Sequence, residues 1–365
     1  MLPEIPFLDL RRLQAPRAQA LQDALAAVVA RGIYILGPEL EAFEAEFAAY
    51  CGTRHAIGVG NGLDALRLML QASSLEPGDE LLVPAHTFIA TILAVRAAGL
   101  VPILVEPDPD TFLMDPQAAE RALTPRTRGL LTVHLYGRCS GVDALRALAE
   151  RHDLALFEDA AQAHGARCQG TSAGAFGLAA GFSFYPTKNL GALGDGGAIT
   201  TGDPALAETV CALRNYGSAH KHAYDLEGCN SRLDELQAAA LRVNLRHLEA
   251  DNARRQALAA TYLAAMRNPR VLLPQATEDP ASHIWHVFVV RSQDRGALQE
   301  HLASQGIGTA MHYPIPPHRQ PALQGLAHGP LPLTEQLHRE VLSLPLHPGL
   351  THNEALRVIK AVNNF

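Results

Sequence analysis

The stretch ELLVPAHTFIATILAVRAAGLVPILVEP, residues 80–107, holds one complete unit of the pattern that decides the fold. It begins with a short apolar run, continues with a segment of helical composition and ends with a second apolar run. Short apolar runs that alternate with helical segments are typical of strands in a parallel sheet covered by helices on both faces. The stretch therefore predicts a strand–helix–strand unit.

The same alternation extends from residue 56 to about residue 200. The further apolar runs are AIGVG at 56–60, GLLTVHL at 129–135, LALFED at 154–159 and GFSFYP at 181–186. Each is followed by a segment with helical spacing or by a glycine-rich turn. The pattern predicts an α/β protein with a mainly parallel central sheet.

The pattern changes in the last third of the chain. Leucines at helical spacing predict one long helix over residues 231–266, with Ser231 at its capping start. Beyond it, HIWHVFVVR at 283–291 reads as a strand and is followed by helical segments. We therefore expect a large domain at residues 1–244 and a smaller α+β domain at residues 245–365.

The composition excludes several functional classes. Of the 365 residues, 48% are hydrophobic and 18% are charged, as in a soluble protein. The formal charge of −7 offers no basic surface to nucleic acid or anionic lipid. No apolar run reaches the roughly 18 residues of a membrane helix, and the N-terminus lacks a secretory signal pattern. We expect a cytoplasmic protein that binds neither nucleic acid nor membranes.

Cysteine and histidine spacing argues against structural disulfides and metal sites. The chain has five cysteines and no CxxC motif, so reduced thiols are expected. Two close histidine pairs occur, His220 with His222 and His283 with His286. In a strand, residues 283 and 286 would point to opposite faces, and neither pair has a carboxylate in ligand-like register. No metal is expected.

Lys188 lies in SFYPTKNLGALGDGG, residues 183–197, between an aromatic run and a glycine-rich loop. Burying an ammonium group is costly, so its position asks for an explanation. In one interpretation the side chain extends to solvent, as in most loop lysines. In the other, a neutral amine condenses with a carbonyl group as a Schiff-base lysine. This stretch alone leaves both open.

Other side chains follow the predicted strands at the same sheet edge, where ligands bind in open parallel sheets. Glu158 and Asp159 end one apolar run and place an acid at this edge, and the alternative is that the aspartate caps a helix. A turn through Gly62 leads into a helix whose free N–H groups could bind phosphate. Phe88 could stack on a planar ring, and Ser183 could donate to phosphate. With Lys188, these are the groups that pyridoxal phosphate requires.

Motifs along nearly the whole chain resemble those of the DegT/DnrJ/EryC1/StrS family of nucleotide-sugar aminotransferases. They include EDAAQAHGA at 158–166, SFYPTKNLGALGDGGAITT at 183–201, CNSRLDELQAA at 229–239 and GTAMHYPIPPH at 308–318. The first two at this separation are highly specific. The resemblance implies the fold-type I architecture of pyridoxal phosphate enzymes, with a large cofactor-binding domain and a smaller C-terminal domain.

The resemblance also implies roles for individual residues. It makes Lys188 the Schiff-base lysine and Asp159 the partner of the cofactor's ring nitrogen. The remaining cofactor contacts that it implies are Gln162 at the phenolic oxygen, Phe88 on the ring, Gly62, Leu63 and Ser183 at the phosphate, and Asn230 at the phosphate of the neighbouring subunit. A homodimer with shared active sites follows from the role of Asn230.

The resemblance further implies a nucleotide-linked keto sugar as substrate and L-glutamate as amino donor. Many members carry serine or threonine where this chain has Leu63, so a hydroxyl contact is lost. The segment GNGLDAL is more similar to members that aminate C-3 of a thymidine-diphosphate-linked 3-keto-6-deoxyhexose than to those acting at C-4. His312 and Tyr313 are candidates for sugar-nucleotide contact, or are merely packed loop residues.

Two other activities occur on similar scaffolds. Sugar dehydratases related to this family replace the Schiff-base lysine with histidine, and Lys188 argues against that activity. A non-catalytic regulatory protein is the second alternative. The presence of Lys188, Asp159 and Gln162 argues against it.

Overall fold

The computed structural model describes residues 4–218 and 223–365. The strands are β1 (His55–Val59), β2 (Glu80–Pro84), β3 (Val101–Val105), β4 (Thr127–Val133), β5 (Ala155–Asp159), β6 (Arg167–Cys168), β7 (Thr171–Ser172), β8 (Ala179–Ser183), β9 (Gly197–Thr201), β10 (Phe288–Arg291) and β11 (Val341–Leu344). Seven of them form the central sheet in the order β1-β9-β8-β5-β4-β2-β3. Only β9 runs antiparallel to its neighbours, which confirms the predicted α/β fold with a mainly parallel sheet.

Helices cover both faces of this sheet, and further helices belong to the C-terminal part. They are α1 (Leu10–Gln14), α2 (Ala18–Arg31), α3 (Pro38–Cys51), α4 (Gly62–Gln71), α5 (Ile89–Ala97), α6 (Pro116–Arg121), α7 (Val142–Arg151), α8 (Pro204–Leu213), α9 (Glu235–Leu245), α10 (Leu248–Ala265), α11 (Arg295–Ser304), α12 (Pro332–Glu340) and α13 (His352–Asn363). One apolar cluster joins α4, α5 and α8 to the sheet, and another joins α3 and α9 to it. Apolar strands buried on both sides are the expected arrangement for a parallel sheet.

The C-terminal part has its own small sheet. Strands β10 and β11 pair antiparallel, and α10, α11 and α13 pack against them around a third apolar cluster. Tyr262 and Phe288 form an edge-to-face pair in this cluster, with ring centroids 5.1 Å apart. Ile5 from the N-terminal segment also packs there. The division of the chain at residues 244 and 245 stays a prediction.

The register of the central sheet aligns the strand ends that matter for the site. Val133 of β4 pairs with Asp159 of β5, and Asp159 pairs with Gly181 of β8. Two residues after Gly181, β8 ends at Ser183, and the loop that follows carries Lys188. The parallel arrangement therefore brings residues from distant parts of the sequence to one edge of the sheet.

The predicted single helix over residues 231–266 is wrong in two respects. It is two helices, α9 and α10, interrupted at Arg246 and His247. It also begins at Glu235, because Asp234 is extended and bridges to Ile35. Ser231 does not cap it, since its hydroxyl donates to Asp64 at 2.7 Å and accepts from the Gly60 N–H at 3.0 Å.

The predicted strand at residues 283–291 is also too long, because β10 begins only at Phe288. Trp285 adopts the left-handed conformation with φ of 53°, which breaks an extended run. The backbone N–H groups of Ile284 and His286 donate to Gly137 and Tyr136 instead of to a sheet neighbour. The rule that side chains alternate between the two faces of a strand therefore does not apply to His283 and His286.

No group of three or more histidine, cysteine, aspartate or glutamate side chains in residues 4–218 and 223–365 has the geometry of a metal site. The pair His220 and His222 lies outside the described residues. No helix within the same ranges is both long and apolar enough to cross a membrane.

Candidate active site

A cavity of about 350 Å³ opens at the carboxyl ends of β4, β5 and β8. Nine of the ten predicted site residues line it: Gly62, Leu63, Phe88, Asp159, Gln162, Ser183, Lys188, His312 and Tyr313. These residues come from five separate segments of the sequence. The fold therefore brings residues that are distant in the sequence together in one cavity.

Lys188 reaches this cavity from the turn after β8. The turn is closed by the Lys188 N–H, which donates to the Tyr185 carbonyl at 2.8 Å. Burial lowers the pKa of the Lys188 amine to about 8, and the nearby Asp159 carboxylate opposes that shift. A lowered pKa provides more of the neutral amine, which is the nucleophilic form.

Asp159 is the last residue of β5, and each of its two carboxylate oxygens accepts one hydrogen bond. The Thr91 hydroxyl donates to Oδ2 at 2.8 Å, and the Ala161 N–H donates to Oδ1 at 3.2 Å. Burial raises the pKa of Asp159, and these two hydrogen bonds and the charge of Lys188 oppose the rise. No α-helix begins between residues 160 and 203, all of which are described, so the helix-cap interpretation is wrong.

Glu158, the preceding acid, points to the opposite face of the sheet. Its carboxylate accepts from the backbone N–H groups of Gly174, Phe176 and Gly177, at 2.7, 2.7 and 3.0 Å. It also lies 2.8 Å from Nε2 of His134. A carboxylate with all of its acceptor positions used in this way holds a loop in place.

The N-terminus of α4 forms one end of the cavity. The Asn61 side chain caps it by accepting from the Asp64 N–H at 2.8 Å. The N–H groups of Gly62 and Leu63 have no partner within the helix, because they belong to its first turn. A Cβ at Gly62 would lie 2.6 Å from Cβ of Ser183, so only glycine allows the strand and the helix to approach this closely.

Phe88, Tyr313 and Gln162 lie together on the cavity wall. The Phe88 and Tyr313 rings are 5.0 Å apart at a tilt of 35°, and Phe88 is 49% exposed. The Gln162 amide donates to the Tyr313 hydroxyl at 3.0 Å, and its oxygen accepts from the Tyr136 N–H at 2.6 Å. These bonds fix the orientation of the Gln162 amide.

His312 and Asn230 have contrasting positions. His312 lines the cavity, with Nδ1 2.8 Å from the Ser343 hydroxyl, and burial lowers its pKa to about 4. Asn230 is the predicted residue that does not line the cavity. It is exposed and bridges to Asn215.

Sequence reasoning missed several residues of this site. Thr91 positions Asp159, and His286 and Asp195 line the cavity. Thr91 follows Phe88 by three residues in HTFIAT and lies in the first turn of α5, which begins directly after Phe88. His286 had no comparable signal, because the backbone around Trp285 is not extended.

A family model matches residues 17–363, and its description is the DegT/DnrJ/EryC1/StrS aminotransferase family. The chain belongs to this family. The match covers almost the whole chain, including every segment that lines the cavity. The family resemblance noted in the sequence is thereby confirmed, and the chain is an aminotransferase.

Two characterised relatives are similar along nearly their full length. One is dTDP-3-amino-3,4,6-trideoxy-alpha-D-glucose transaminase of Streptomyces venezuelae, 52% identical over 100% of this chain and 96% of the relative. The other is the erythromycin biosynthesis sensory transduction protein EryC1 of Saccharopolyspora erythraea, 52% identical over 98% of each protein.

Solved structures are also similar over nearly the whole length of this chain. DesV of S. venezuelae in complex with a ketimine intermediate has a TM-score of 0.96 and 52% identity, covering 99% of this chain and 98% of DesV. The NtdA protein of Bacillus subtilis with the bound cofactor PMP has a TM-score of 0.93 and 34% identity, covering 100% of this chain and 85% of NtdA. Pyridoxal phosphate is accordingly the cofactor of this family member.

The residues of the cavity fit this cofactor. The phosphate would meet the free N–H groups of α4 and the Ser183 hydroxyl, next to the glycine that leaves room beside Ser183. A buried carboxylate, Asp159, and an amine of lowered pKa, Lys188, stand on the same wall. Donors for a dianion, an acid and a nucleophilic amine are the set that the cofactor requires.

Proposed function

We propose that this protein transfers an amino group from L-glutamate to C-3 of a thymidine-diphosphate-linked 3-keto-6-deoxyhexose. The observation that carries the proposal is that Lys188 and Asp159 line one cavity, where the Asp159 carboxylate influences the pKa of the Lys188 amine. Support for the sugar comes from the S. venezuelae relative, whose name specifies a dTDP-linked 3-amino sugar.

The bound cofactor supplies an electron sink for the carbon that loses its proton. Asp159 carries the negative charge that keeps the ring nitrogen protonated, and the Thr91 hydroxyl orients its carboxylate. Nζ of Lys188 acts as general base and then as general acid, taking the proton from one carbon and returning it to another. Its lowered pKa suits this exchange near neutral pH.

Other residues hold the reactants. In the proposal, the phosphate group binds the Gly62 and Leu63 N–H groups and the Ser183 hydroxyl. Phe88 packs on the ring, and Gln162 contacts its phenolic oxygen. The sugar nucleotide contacts His312 and Tyr313, which lie on the same cavity wall.

The proposal includes a cytoplasmic homodimer in which Asn230 completes the phosphate site of the partner. Its exposure, away from the cavity of its own chain, is compatible with that role. Four consecutive exposed apolar residues support an interface, and they are Ile33, Tyr34, Ile35 and Leu36. Such patches mark protein contacts more often than free surface.

The activity is tested with purified enzyme, pyridoxal phosphate, L-glutamate and a pair of nucleotide sugars, one with a 3-keto and one with a 4-keto group. We expect amination of the 3-keto sugar and formation of 2-oxoglutarate in equal amount. Turnover of the 4-keto sugar alone would reassign the enzyme to C-4. Turnover of neither sugar would overturn the proposed substrate class.

The name of the S. erythraea relative favours a second candidate, a regulatory protein. The same assay separates the two. A regulatory protein would bind cofactor without turning over either sugar, whereas a transaminase releases 2-oxoglutarate. Lys188 and Asp159 favour the enzyme, because a purely regulatory function requires neither a base nor an electron sink.

The shared site is tested by changing Asn230 to alanine. We expect cofactor affinity to fall by about 1.5–3 kcal/mol, the range for a charge-assisted hydrogen bond. In mixed dimers of Lys188→Ala and Asn230→Ala chains, one site carries both defects and the other carries neither. Activity should return to about half of the wild-type value if the two sites are independent. A fully active monomer in sedimentation at assay concentration would refute the shared site.

A further inference from the structure

A second cavity, of about 320 Å³, lies on the other side of β4. Side chains alternate along a strand, so Val133 faces the cofactor cavity while Thr132 and His134 face the second one. Its volume is far above the roughly 10–15 Å³ that one water molecule needs. The two cavities share no lining residue.

Arg138 gives this second cavity an unusual charge. Its side chain is only 6% exposed, and no carboxylate in residues 4–218 and 223–365 lies within 4.0 Å of its guanidinium. Nε donates to the Ser140 hydroxyl at 2.7 Å, and Nη1 donates to the Gln275 carbonyl at 3.3 Å. Nη2 has no hydrogen-bond partner in those ranges. A buried guanidinium normally has an anionic partner, because its desolvation is costly.

Two further polar groups of the wall also lack a hydrogen-bond partner within the described residues. The Thr132 hydroxyl and Nδ1 of His134 have no hydrogen-bond partner among the described residues, although both side chains are more than nine-tenths buried. Helix α7 begins at the same wall, and its cap residue Gly141 provides no side-chain cap. Its first N–H groups therefore point outward with the positive end of the helix dipole.

One wall residue carries the opposite charge. Asp108 lines the cavity, and its Oδ1 already accepts from the Asp110 N–H and from the N–H and hydroxyl of Thr111. It lies beyond ion-pair distance of Arg138 and disfavours a highly charged ligand. A single small oxyanion beside Arg138 is therefore the best match to the wall.

We propose that this second cavity binds a small metabolite through a carboxylate or phosphate group held by Arg138 and the N-terminus of α7. The site is separate from the cofactor cavity and does not depend on which sugar the enzyme aminates. Two contacts would transmit the effect of a ligand in the second cavity to the active site. Arg138 holds the Gln275 carbonyl of the C-terminal part, and His134 holds Glu158, the neighbour of Asp159.

The test uses the holoenzyme, in which cofactor already fills the phosphate corner of the active site. Sodium phosphate and sodium acetate are titrated separately at constant ionic strength, with sodium chloride as the control salt. Thermal unfolding reports binding, since a ligand of the native state raises the Tm in a saturable way. Saturation by phosphate alone or by acetate alone identifies the group that the site prefers.

Two variants locate the response. Arg138→Gln removes the charge but also alters a buried contact, so Ala144→Glu provides the second test. Ala144 is exposed at the cavity rim in the first turn of α7, where a glutamate is tolerated by the helix but repels an anion. Each change should weaken anion binding by about tenfold or more. Glu150→Gln, an exposed change near the other end of the same helix, should leave binding unaltered.

The outcomes are decisive in both directions. A saturable response in the wild-type enzyme that Ala144→Glu or a folded Arg138→Gln abolishes, and that Glu150→Gln preserves, supports the site. No response beyond that to chloride in the wild-type enzyme overturns it. An equal response in the wild-type enzyme and Ala144→Glu also overturns it, because the anion would then bind elsewhere.

Discussion

The two faces of the sheet at the end of β5 carry adjacent acids with opposite surroundings. On one face, Glu158 is enclosed by three backbone N–H groups and His134. On the other face, Asp159 borders a cavity and receives only the Thr91 hydroxyl and the Ala161 N–H. Both carboxylates are buried, and both end the same strand.

The difference separates an acid that holds the fold from an acid that is available for chemistry. A carboxylate with four donors has no capacity left for a ligand, so its contribution is to stability. A carboxylate that faces a cavity beside a lysine can still interact with a ligand that enters the cavity. The predictions below test this separation.

The largest effect is expected for Lys188→Ala. Without the amine, amino transfer should fall by about 10³-fold or more, because proton transfer and covalent attachment are both lost. Borohydride treatment followed by mass spectrometry should find no cofactor attached to the chain. Lys360→Ala, an exposed change in α13, is the matched control and should behave as the wild-type enzyme. Borohydride-fixed cofactor in Lys188→Ala would assign the attachment to another residue.

Asp159→Asn should reduce turnover by roughly 10²-fold or more while leaving unfolding in urea nearly unchanged. An amide keeps the approximate shape and one acceptor but no longer holds a proton on the ring nitrogen. Some cofactor should remain bound. Near-normal turnover would show that this carboxylate is not the partner of the ring nitrogen.

Glu158→Gln should show the reverse behaviour. The amide nitrogen would face backbone donors that require an acceptor, so the free energy of unfolding should fall by about 2 kcal/mol. Turnover per folded molecule should stay close to that of the wild-type enzyme. If the two variants had the same effect on rate and stability, the contrast between the two faces would fail.

The pH dependence of cofactor attachment gives an effect of about tenfold. Only the neutral Lys188 amine attacks a carbonyl, and its pKa is lowered to about 8. The rate at which apoenzyme binds cofactor covalently should therefore rise by about tenfold from pH 7 to pH 9 and level off above pH 8. Asp159→Asn should move the plateau to lower pH, because the carboxylate raises the pKa of Lys188. A rate still rising at pH 10 would indicate an ordinary lysine.

The smallest effect is expected for Thr91→Val. The change removes the hydrogen bond to Asp159 at constant shape, so turnover should fall about fivefold, equivalent to about 1 kcal/mol. The pKa of Asp159 should rise further, since this bond opposes the effect of burial. Thr91→Ser keeps the hydroxyl and should restore the rate. If serine and valine gave the same rate, Thr91 would act by packing alone.

Much of the site could be predicted because its residues lie at the ends of strands and at the start of a helix, positions that can be recognised from short stretches of sequence. Asp159 and Lys188 follow apolar runs, and the ends of parallel strands meet at one sheet edge. Gly62 begins α4, and its close approach to Ser183 explains why no side chain is tolerated there. Such features are encoded in contiguous stretches, so they can be recognised before the fold is known.

Other features depend on partners that lie far away in the sequence. Ser231 reads as a helix cap, but it bonds Asp64 at a separation of 167 residues. Thr91 meets Asp159 at a separation of 68 residues. The left-handed backbone of Trp285 ends an apparent strand for the same reason, because neighbouring N–H groups find carbonyls of another segment.

The sequence by itself determined the α/β class and the cofactor chemistry, and it predicted Lys188 and Asp159 as site residues, because apolar periodicity and contiguous motifs act over short distances. Only the tertiary structure decided which of two adjacent acids faces the cavity, where α9 begins, and that the buried Arg138 has no carboxylate of the described residues within 4.0 Å of its guanidinium. How deeply a side chain is buried, and what it pairs with, depend on all of its neighbours in the fold. Those neighbours come from segments that are far apart in the sequence.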